Sequence, residues 1–289
     1  MSLTLQDRET LSAHETVRVI GPASHAPINM LDLLKLRDLI GMMVHRDVVG
    51  KYKGSMLGLI WPVLNPAGHL LLYTFVFSVI LKVKFGHDGS TTNFAIYLMT
   101  GLTTWLAFGE SLTRSSTAIL EMPNLVKRVV FPLEILPLVA VISSSITAVI
   151  SLLIVAVGAG IYVGAIHPTV LFIPLVLLSQ LLFTGGLCWF AASIGVFVQD
   201  LRHFMSLALS AWMYATPIVY PATAFPENLK FMAWVNPMAG IVTDYRRLII
   251  EGLPPDWPVF LYYTAVGAIV WTLGYYFFAK TKQSFADVM

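Results

Sequence analysis

The sequence predicts an all-α integral membrane protein with six transmembrane helices, an N-terminal amphipathic helix at the membrane interface, and a short pair of helices on the outer side between spans five and six. Hydrophobic residues make up 57% of its 289 residues, charged residues only 12%, and the mean hydropathy is +0.76. A soluble domain would carry about twice that share of charged residues. The apolar residues also collect into six runs, each near or above the ~20 residues that a helix needs to cross hydrocarbon.

The N-terminal part is predicted to lie outside the membrane. Residues 1–27 are polar and form a predicted flexible cytoplasmic tail, without the apolar core of a signal peptide. Residues 28–56 are predicted as an amphipathic interface helix with Asn29 as its N-cap, because apolar residues recur at helical spacing between charged ones. The helix carries too many charges to span a membrane. Two roles stay open: a simple surface anchor, or an anchor that also contacts a partner subunit.

The transmembrane domain is predicted over residues 57–280. Its spans are 57–81, 94–112, 135–163, 169–198, 204–220 and 259–279. Six spans place both termini on one side, and most Lys and Arg residues fall in the segments on that side, which indicates the cytoplasm. Residues 221–258 are then a long outer connection, and residues 281–289 a second cytoplasmic tail.

The composition also excludes several classes of function. A net charge of +2 does not suggest a nucleic-acid partner, and the single cysteine, Cys188, rules out a disulfide framework and a cysteine metal cluster. No GxxxxGK[ST] motif is present, so any ATP-driven process needs a separate ATPase subunit. We predict no metal, no cofactor and no catalytic residue in this chain.

The approach to the first span runs from Arg46 to Pro66. Cations just before an apolar run face anionic headgroups and hold that end of the helix at the cytoplasmic interface, and an indole one turn inside suits the headgroup boundary. Two prolines in this helix favour packing in a bundle, where neighbours satisfy the freed carbonyls. The predicted residues of this cytoplasmic entrance are Arg46, Lys51, Tyr52, Lys53 and Trp61.

The segment Met122–Pro137, between spans two and three, combines a short helix with positive charge. Pro123 and Pro132 bracket about two helical turns, whose centre exposes Asn124, Lys127 and Arg128 beside an apolar patch that includes Leu125. One reading is an ordinary basic loop of the positive-inside type. The other is a rigid docking helix that transmits a push from a cytoplasmic partner to both spans.

Aromatic residues repeat along several predicted spans. Tyr73 and Phe77 share a face of span one, Trp105 and Phe108 share a face of span two, and Trp212 lies in span five. Such rings stack on the C–H faces of sugars, so they are predicted channel-lining residues, together with His69 in the middle of span one. The alternatives are membrane-interface belts and lipid-facing packing for the rings, and hydrogen-bonded packing for the histidine.

The outer connection is predicted to contain two short helices. Asn236 and Pro237 are typical of an N-cap and a first helical position, and Gly252 is a typical stop. Asp244, Arg247 and Glu251 are spaced for ion pairs along the second helix. We predict an outer gate formed by Trp234, Asp244, Tyr245 and Arg247. A structural plug that does not move is the alternative.

Three stretches together resemble a known family. Arg46-Asp47, Lys51-Tyr52, Ser55-Met56-Leu57-Gly58 with Trp61, and Asn65-Pro66 look like the start of the first transmembrane helix of ABC-2-type export permeases, the membrane subunits of O-antigen, teichoic acid and capsule transporters. The Asn124–Pro137 segment resembles their coupling helix, and the chain ends in a similar Phe285-Ala286-Asp287-Val288.

The resemblance implies a homodimer in the bacterial inner membrane with two nucleotide-binding ATPase subunits beneath it. ATP and Mg²⁺ would bind to those partners, and Asn124, Leu125, Lys127 and Arg128 would contact them. The implied substrate is a polyprenyl-linked glycan that leaves between the protomers, among membrane lipids. Two other functions stay open: an ABC-2 exporter of a drug or lipid, and an enzyme that modifies a polyprenyl lipid.

Overall fold

The computed structural model describes residues 33, 35–82, 92–128, 131–164, 166–221 and 226–288. The predicted tail at residues 1–27 and the start of the predicted interface helix therefore lie outside the described residues. The described helices are α1 (Arg37–Gly50), α2 (Trp61–Thr74), α3 (Thr92–Ser115), α4 (Pro123–Arg128), α5 (Ile135–Val163), α6 (Ile173–Phe197), α7 (Leu201–Tyr214), α8 (Lys230–Val235), α9 (Pro237–Arg246), α10 (Trp257–Thr281) and α11 (Phe285–Val288). Wider turns of π-helix extend α2 through Phe75–Ile80 and α9 through Arg247–Glu251.

By length and apolar composition, four helical stretches of the described chain are able to cross a membrane. They match predicted spans one, three, four and six, and they are Gly58–Ile80, Ile135–Ile161, Pro168–Phe197 and Trp257–Ser284. Predicted span two lies in α3, which carries Glu110 and Arg114 in its last two turns. The helical part of predicted span five is α7, whose 14 residues measure about 21 Å, and the helix ends at Tyr214 before Pro217. The helical membrane fold is thus confirmed, and the count of six spans stays a prediction.

The most extensive contact between helices joins α6 to α10, and it depends on glycine. A methyl group added at Gly274 would overlap the backbone of Gly186, and one added at Gly186 would overlap the backbone of Val270. Small residues let two helix backbones approach closely, and the resulting van der Waals contacts are a main source of helix association in lipid. The glycines of α6 and α10 therefore determine how closely these two spans pack.

We expect Gly274→Ala to destabilise the protein by about 1–3 kcal/mol, because the added methyl group has only backbone to displace. Gly41→Ala, in α1, is the matched control, since a methyl group there meets no atom within 4 Å. The midpoint of thermal unfolding in detergent measures the stability of each variant. Equal midpoints for the two variants would contradict the assigned packing.

Two clusters of buried side chains fill the bundle. The larger one lies among α3, α5, α6, α9 and α10, and the smaller one joins α1, α5, α6 and α10 to the C-terminal Phe285. The smaller cluster marks one end of the bundle, here named the Glu110 end, and the opposite end is named the Asp244 end. At the Glu110 end, Lys282 and Glu134 form a buried ion pair at 2.8 Å, and α11 contacts α4.

Candidate functional site

A groove of about 520 Å³ runs along α2, between that helix and α3 and α5. Five of the residues singled out from the sequence line it, three from the predicted entrance and two from the predicted channel: Lys51, Tyr52, Trp61, His69 and Tyr73. The remaining walls come from α3 and α5, which are far from α2 in sequence. The fold thus gathers two separately predicted sets of residues into one open cavity.

Ion pairs close the Glu110 end of the groove. Lys51 Nζ lies 2.6 Å from Glu110 Oε1, and Arg114 bonds to the Asp47 carboxylate while its Nη1 lies 3.5 Å from Glu110 Oε1. Burial would raise the pKa of Asp47, but the hydrogen bond and charge of Arg114, with the charge of Lys51, hold that pKa below its usual value. Because these pairs are partly exposed, each contributes little alone, and together they fasten the α1–α2 junction to α3.

The other entrance residues take different positions. The Trp61 indole Nε1 donates to Ser55 Oγ at 2.6 Å, which orients the ring on the groove wall. Arg46 lines a separate cavity of about 280 Å³ between α1, the end of α3 and the start of α5. Lys53 is exposed away from the groove.

The predicted channel residues divide into two groups. His69, Tyr73 and Phe77 form a row of rings along α2, with centroids about 6 Å apart, and His69 Nδ1 contacts the Asn65 carbonyl at 2.9 Å. His69 is exposed on the groove and hydrogen-bonded, so its role as a channel-lining or a packing histidine stays a prediction.

Trp105 and Phe108 instead belong to the larger buried cluster, and Trp212 packs against it. The Phe108 ring packs at 5.1 Å from Trp105 and 5.2 Å from Trp212, and Trp105 and Phe108 are both buried. Trp212 Nε1 also donates to the side chain of Asn236 at 3.1 Å. Within one chain these three rings form core contacts on the side of α3 that faces away from the groove.

A third cavity, of about 460 Å³, lies at the Asp244 end. Trp234, Asp244 and Arg247 of the predicted gate line it, with the Trp234 side chain 82% exposed. Asp244 is buried, and its carboxylate accepts from Tyr263 Oη at 2.8 Å and from the Asp256 N–H at 3.0 Å. Burial raises the pKa of Asp244, although both hydrogen bonds oppose that shift. Its pairing with Arg247 is loose, with 4.0 Å between Asp244 Oδ1 and Arg247 Nε.

Tyr245 lies elsewhere: its hydroxyl donates to Gln180 Oε1 at 3.0 Å, deep between α9 and α6. The N-cap prediction for α9 is confirmed, because Asn236 Oδ1 accepts from the Met238 N–H. Gly252, at φ +66°, ends the helix as predicted.

In the sequence, Arg246 is one of four charged residues clustered in the outer connection, with Asp244, Arg247 and Glu251, and the structure shows it to be a clamp. Its guanidinium donates to the carbonyls of Pro217, Ile218 and Tyr97 at 2.6, 2.7 and 3.3 Å, and its Cζ lies 3.4 Å from the centroid of the Tyr97 ring. Burial lowers the pKa of Arg246 to about 10, so it stays charged at neutral pH. The clamp joins α9 to α3 and to the segment that follows α7.

We expect Arg246→Met to lower the free energy of unfolding by about 3 kcal/mol or more, because carbonyls buried on two other segments lose a charged donor. Arg246→Lys is expected to restore only part of the loss, since an ammonium cannot fork between two carbonyls as a guanidinium does. Arg247→Met is the control, because Arg247 Nε donates only to the exposed Pro254 carbonyl among the hydrogen bonds described. The midpoints of thermal unfolding measure the stability of these variants. Equal midpoints for Arg246→Met and Arg247→Met would refute the clamp.

Of the predicted coupling residues, Asn124 is exposed on α4, and Leu125 packs against the smaller buried cluster. The side chains of Lys127 and Arg128 lie outside the described residues, although their backbone belongs to α4. Within the described part of the chain, no group of three His, Cys, Asp or Glu residues is placed to hold a metal ion.

The chain matches known proteins over most of its length. The ABC-2 type transporter family matches residues 38–248, a range that contains the groove, α4, α8 and α9. The O-antigen export system permease protein RfbA of Myxococcus xanthus is 31% identical over 259 residues, which are 89% of this chain and 97% of that protein. The RfbA protein of Klebsiella pneumoniae is 30% identical over 258 residues, or 88% and 96%. The polysialic acid transport protein KpsM of Escherichia coli is 23% identical over 213 residues, or 72% and 79%.

Proposed function

The chain belongs to the ABC-2 type transporter family, and we propose that it is the permease subunit of an ATP-driven exporter that moves a lipid-linked, O-antigen-like polysaccharide across the bacterial inner membrane. The observation that carries the substrate class is the match, at about 30% identity and over nearly the full length of both proteins, to permeases named for O-antigen export. The groove along α2 supports it, because aromatic rings line a cavity whose charges are already paired.

We propose that the functional unit is a homodimer. The apolar window of the first span is only 6% buried in one chain, whereas that of Ile135–Ile161 is 61% buried. The first span also carries two prolines and the groove, which favour a helix that packs against protein. A second copy of the chain would cover its exposed face, and the glycan would pass between the protomers.

In the proposed topology, six spans place both termini and the Glu110 end in the cytoplasm, and the Asp244 end outside. Two nucleotide-binding subunits, which carry ATP and Mg²⁺, would dock beneath the Glu110 end on α4. Contact between α4 and the C-terminal α11, and the packing of Leu125 on the smaller cluster, would pass their motion into the bundle. The cavity lined by Trp234, Asp244 and Arg247 would form part of the outer gate.

Deletion of the gene in its own strain tests the export function. We expect loss of the surface polysaccharide and accumulation of its lipid-linked precursor on the inner side, both reversed by the intact gene. An unchanged surface polysaccharide would refute the proposed substrate and favour the drug or lipid exporter. Loss of polysaccharide with normal precursor pools would favour the lipid-modifying enzyme.

A further inference from the structure

Opposite the aromatic residues of α2, the groove has a wall of hydroxyl groups. Ser144, Thr147 and Ser151 of α5 line it, with Thr103 of α3 beside them. Positions three and four apart share one helix face, so the α5 residues form a continuous row. The patterns read from the sequence did not identify this row, because serine and threonine are common in helices of membrane bundles.

The hydroxyl of Ser144 has no hydrogen-bond partner among the described atoms, although the residue is only 1% exposed. The two neighbours in the row bond to their own helix: Thr147 Oγ1 donates to the Ser143 carbonyl at 3.4 Å and Ser151 Oγ to the Thr147 carbonyl at 2.9 Å. A hydroxyl that donates in this way can still accept. A buried hydroxyl without a partner is unfavourable, so a ligand whose acceptor reaches Ser144 would satisfy a donor, with the hydroxyl oxygens of Thr147 and Ser151 as acceptors beside it.

The facing wall, on α2, carries aromatic rings. Trp61, His69 and Tyr73 present rings toward the same cavity. A ligand that fills the space between the two walls needs an apolar face for the rings and hydroxyl groups along its edge. A sugar ring has both. A lipid acyl chain has only apolar atoms and would leave the Ser144 hydroxyl without a partner.

The charges in the groove further restrict the class of ligand that it can bind. The ionic groups that line the groove are Lys51 and Glu110, and each neutralises the other at 2.6 Å. An anionic ligand would have to compete with Glu110 for Lys51, which favours a neutral one. The volume of about 520 Å³ falls within the range of about 300–1,000 Å³ that is usual for small-ligand sites.

We propose that this groove is a binding site for neutral sugar residues, in which the hydroxyl row of Ser144, Thr147 and Ser151 hydrogen-bonds the glycan while the rings of α2 stack on it. The inference rests on the proposed export function and assigns the residues that contact the sugar. The row would then discriminate among glycans by the positions of their hydroxyl groups.

Cysteine labelling tests the site, because Cys188 is the one native cysteine and is buried, and in the test background alanine replaces it. In that background we place Thr147→Cys in the groove, and Leu153→Cys on an exposed apolar face of α5 as the control. Membranes from a strain that makes no glycan are treated with a water-soluble thiol reagent. We expect Thr147→Cys to react and Leu153→Cys not to react. Ser151→Cys serves as a second reporter if Thr147→Cys fails to fold.

The ligand probe is a set of oligosaccharides released from the surface polysaccharide of the parent strain, which makes the glycan. We expect them to protect the reporter cysteine, and Ser144→Ala to raise the half-protecting concentration about fivefold, as the loss of one neutral hydrogen bond implies. Ser145→Ala is the matched control, since Ser145 is buried next to Ser144 and does not line the groove.

Two results would overturn the site. Unreactive reporters at both positions would mean that lipid or a second chain fills the groove, and reactive reporters without protection would mean that the groove is wet but does not bind sugar. If export still depends on the gene, either result would refute the sugar-binding site but not the proposed export function. A surface polysaccharide that does not depend on the gene would refute the proposed export function.

Discussion

The double variant Lys127→Glu, Arg128→Glu is expected to stay folded and to lose export. The two residues end the short helix α4, next to the exposed Asn124 and half-buried Leu125. If α4 docks on an ATPase subunit, reversing two charges places like charges opposite each other, which costs several kcal/mol in an interface. We therefore expect a drop of at least about 100-fold in the affinity for the ATPase subunit.

Export is measured as surface polysaccharide, and docking as the amount of ATPase subunit that co-purifies. Arg202→Glu with Lys280→Glu is the matched control, because it changes the charge by the same amount at two exposed positions outside α4. Retained export in a stably expressed Lys127→Glu, Arg128→Glu protein would show that α4 is an ordinary basic loop.

Lys282→Met is expected to have the largest effect on stability. Lys282 Nζ lies 2.8 Å from Glu134 Oε1, and the two side chains are 2% and 0% exposed. The other carboxylate oxygen, Glu134 Oε2, has no hydrogen-bond partner among the described atoms. Removing the cation leaves a buried carboxylate without its counter-charge, which destabilises a protein by about 3–5 kcal/mol.

A double variant distinguishes the effect of the lost counter-charge from the effect of lost packing around Lys282. Glu134→Gln with Lys282→Met removes both charges, and we expect it to recover much of the stability that Lys282→Met alone loses. Lys280→Met, at an exposed position two residues earlier, is the control. Thermal unfolding midpoints that match for Lys282→Met and Lys280→Met would show that the ion pair contributes little.

The sequence was informative wherever a pattern is local. Apolar runs predicted the long helices α2, α5, α6 and α10, and the Asn236-Pro237 pair predicted the start of α9 from the hydrogen bond that an asparagine side chain offers. Predicted span five was less accurate because hydropathy measures composition: the run 204–220 is mostly apolar, but the helix ends at Tyr214.

Local sequence patterns could not predict contacts between distant segments. Lys51 and Glu110 are 59 positions apart, and Arg246 bonds to carbonyls 28, 29 and 149 positions away. A carbonyl is present at every residue, so no sequence motif marks it as the partner of a buried arginine. The helical stripe of Trp105 and Phe108 likewise predicted a shared face, but not that this face packs on Trp212 within the chain.

The central claim is that this chain works as the membrane subunit of an ATP-driven exporter, and co-purification tests it most directly. The tagged protein is solubilised from its own strain in mild detergent, and ATPase activity is assayed on the proteins that accompany it. We predict a stoichiometric nucleotide-binding subunit, one copy per copy of this chain, with ATPase activity. A pure preparation without any nucleotide-binding partner would contradict the account and favour the alternative function, an enzyme that modifies a polyprenyl lipid.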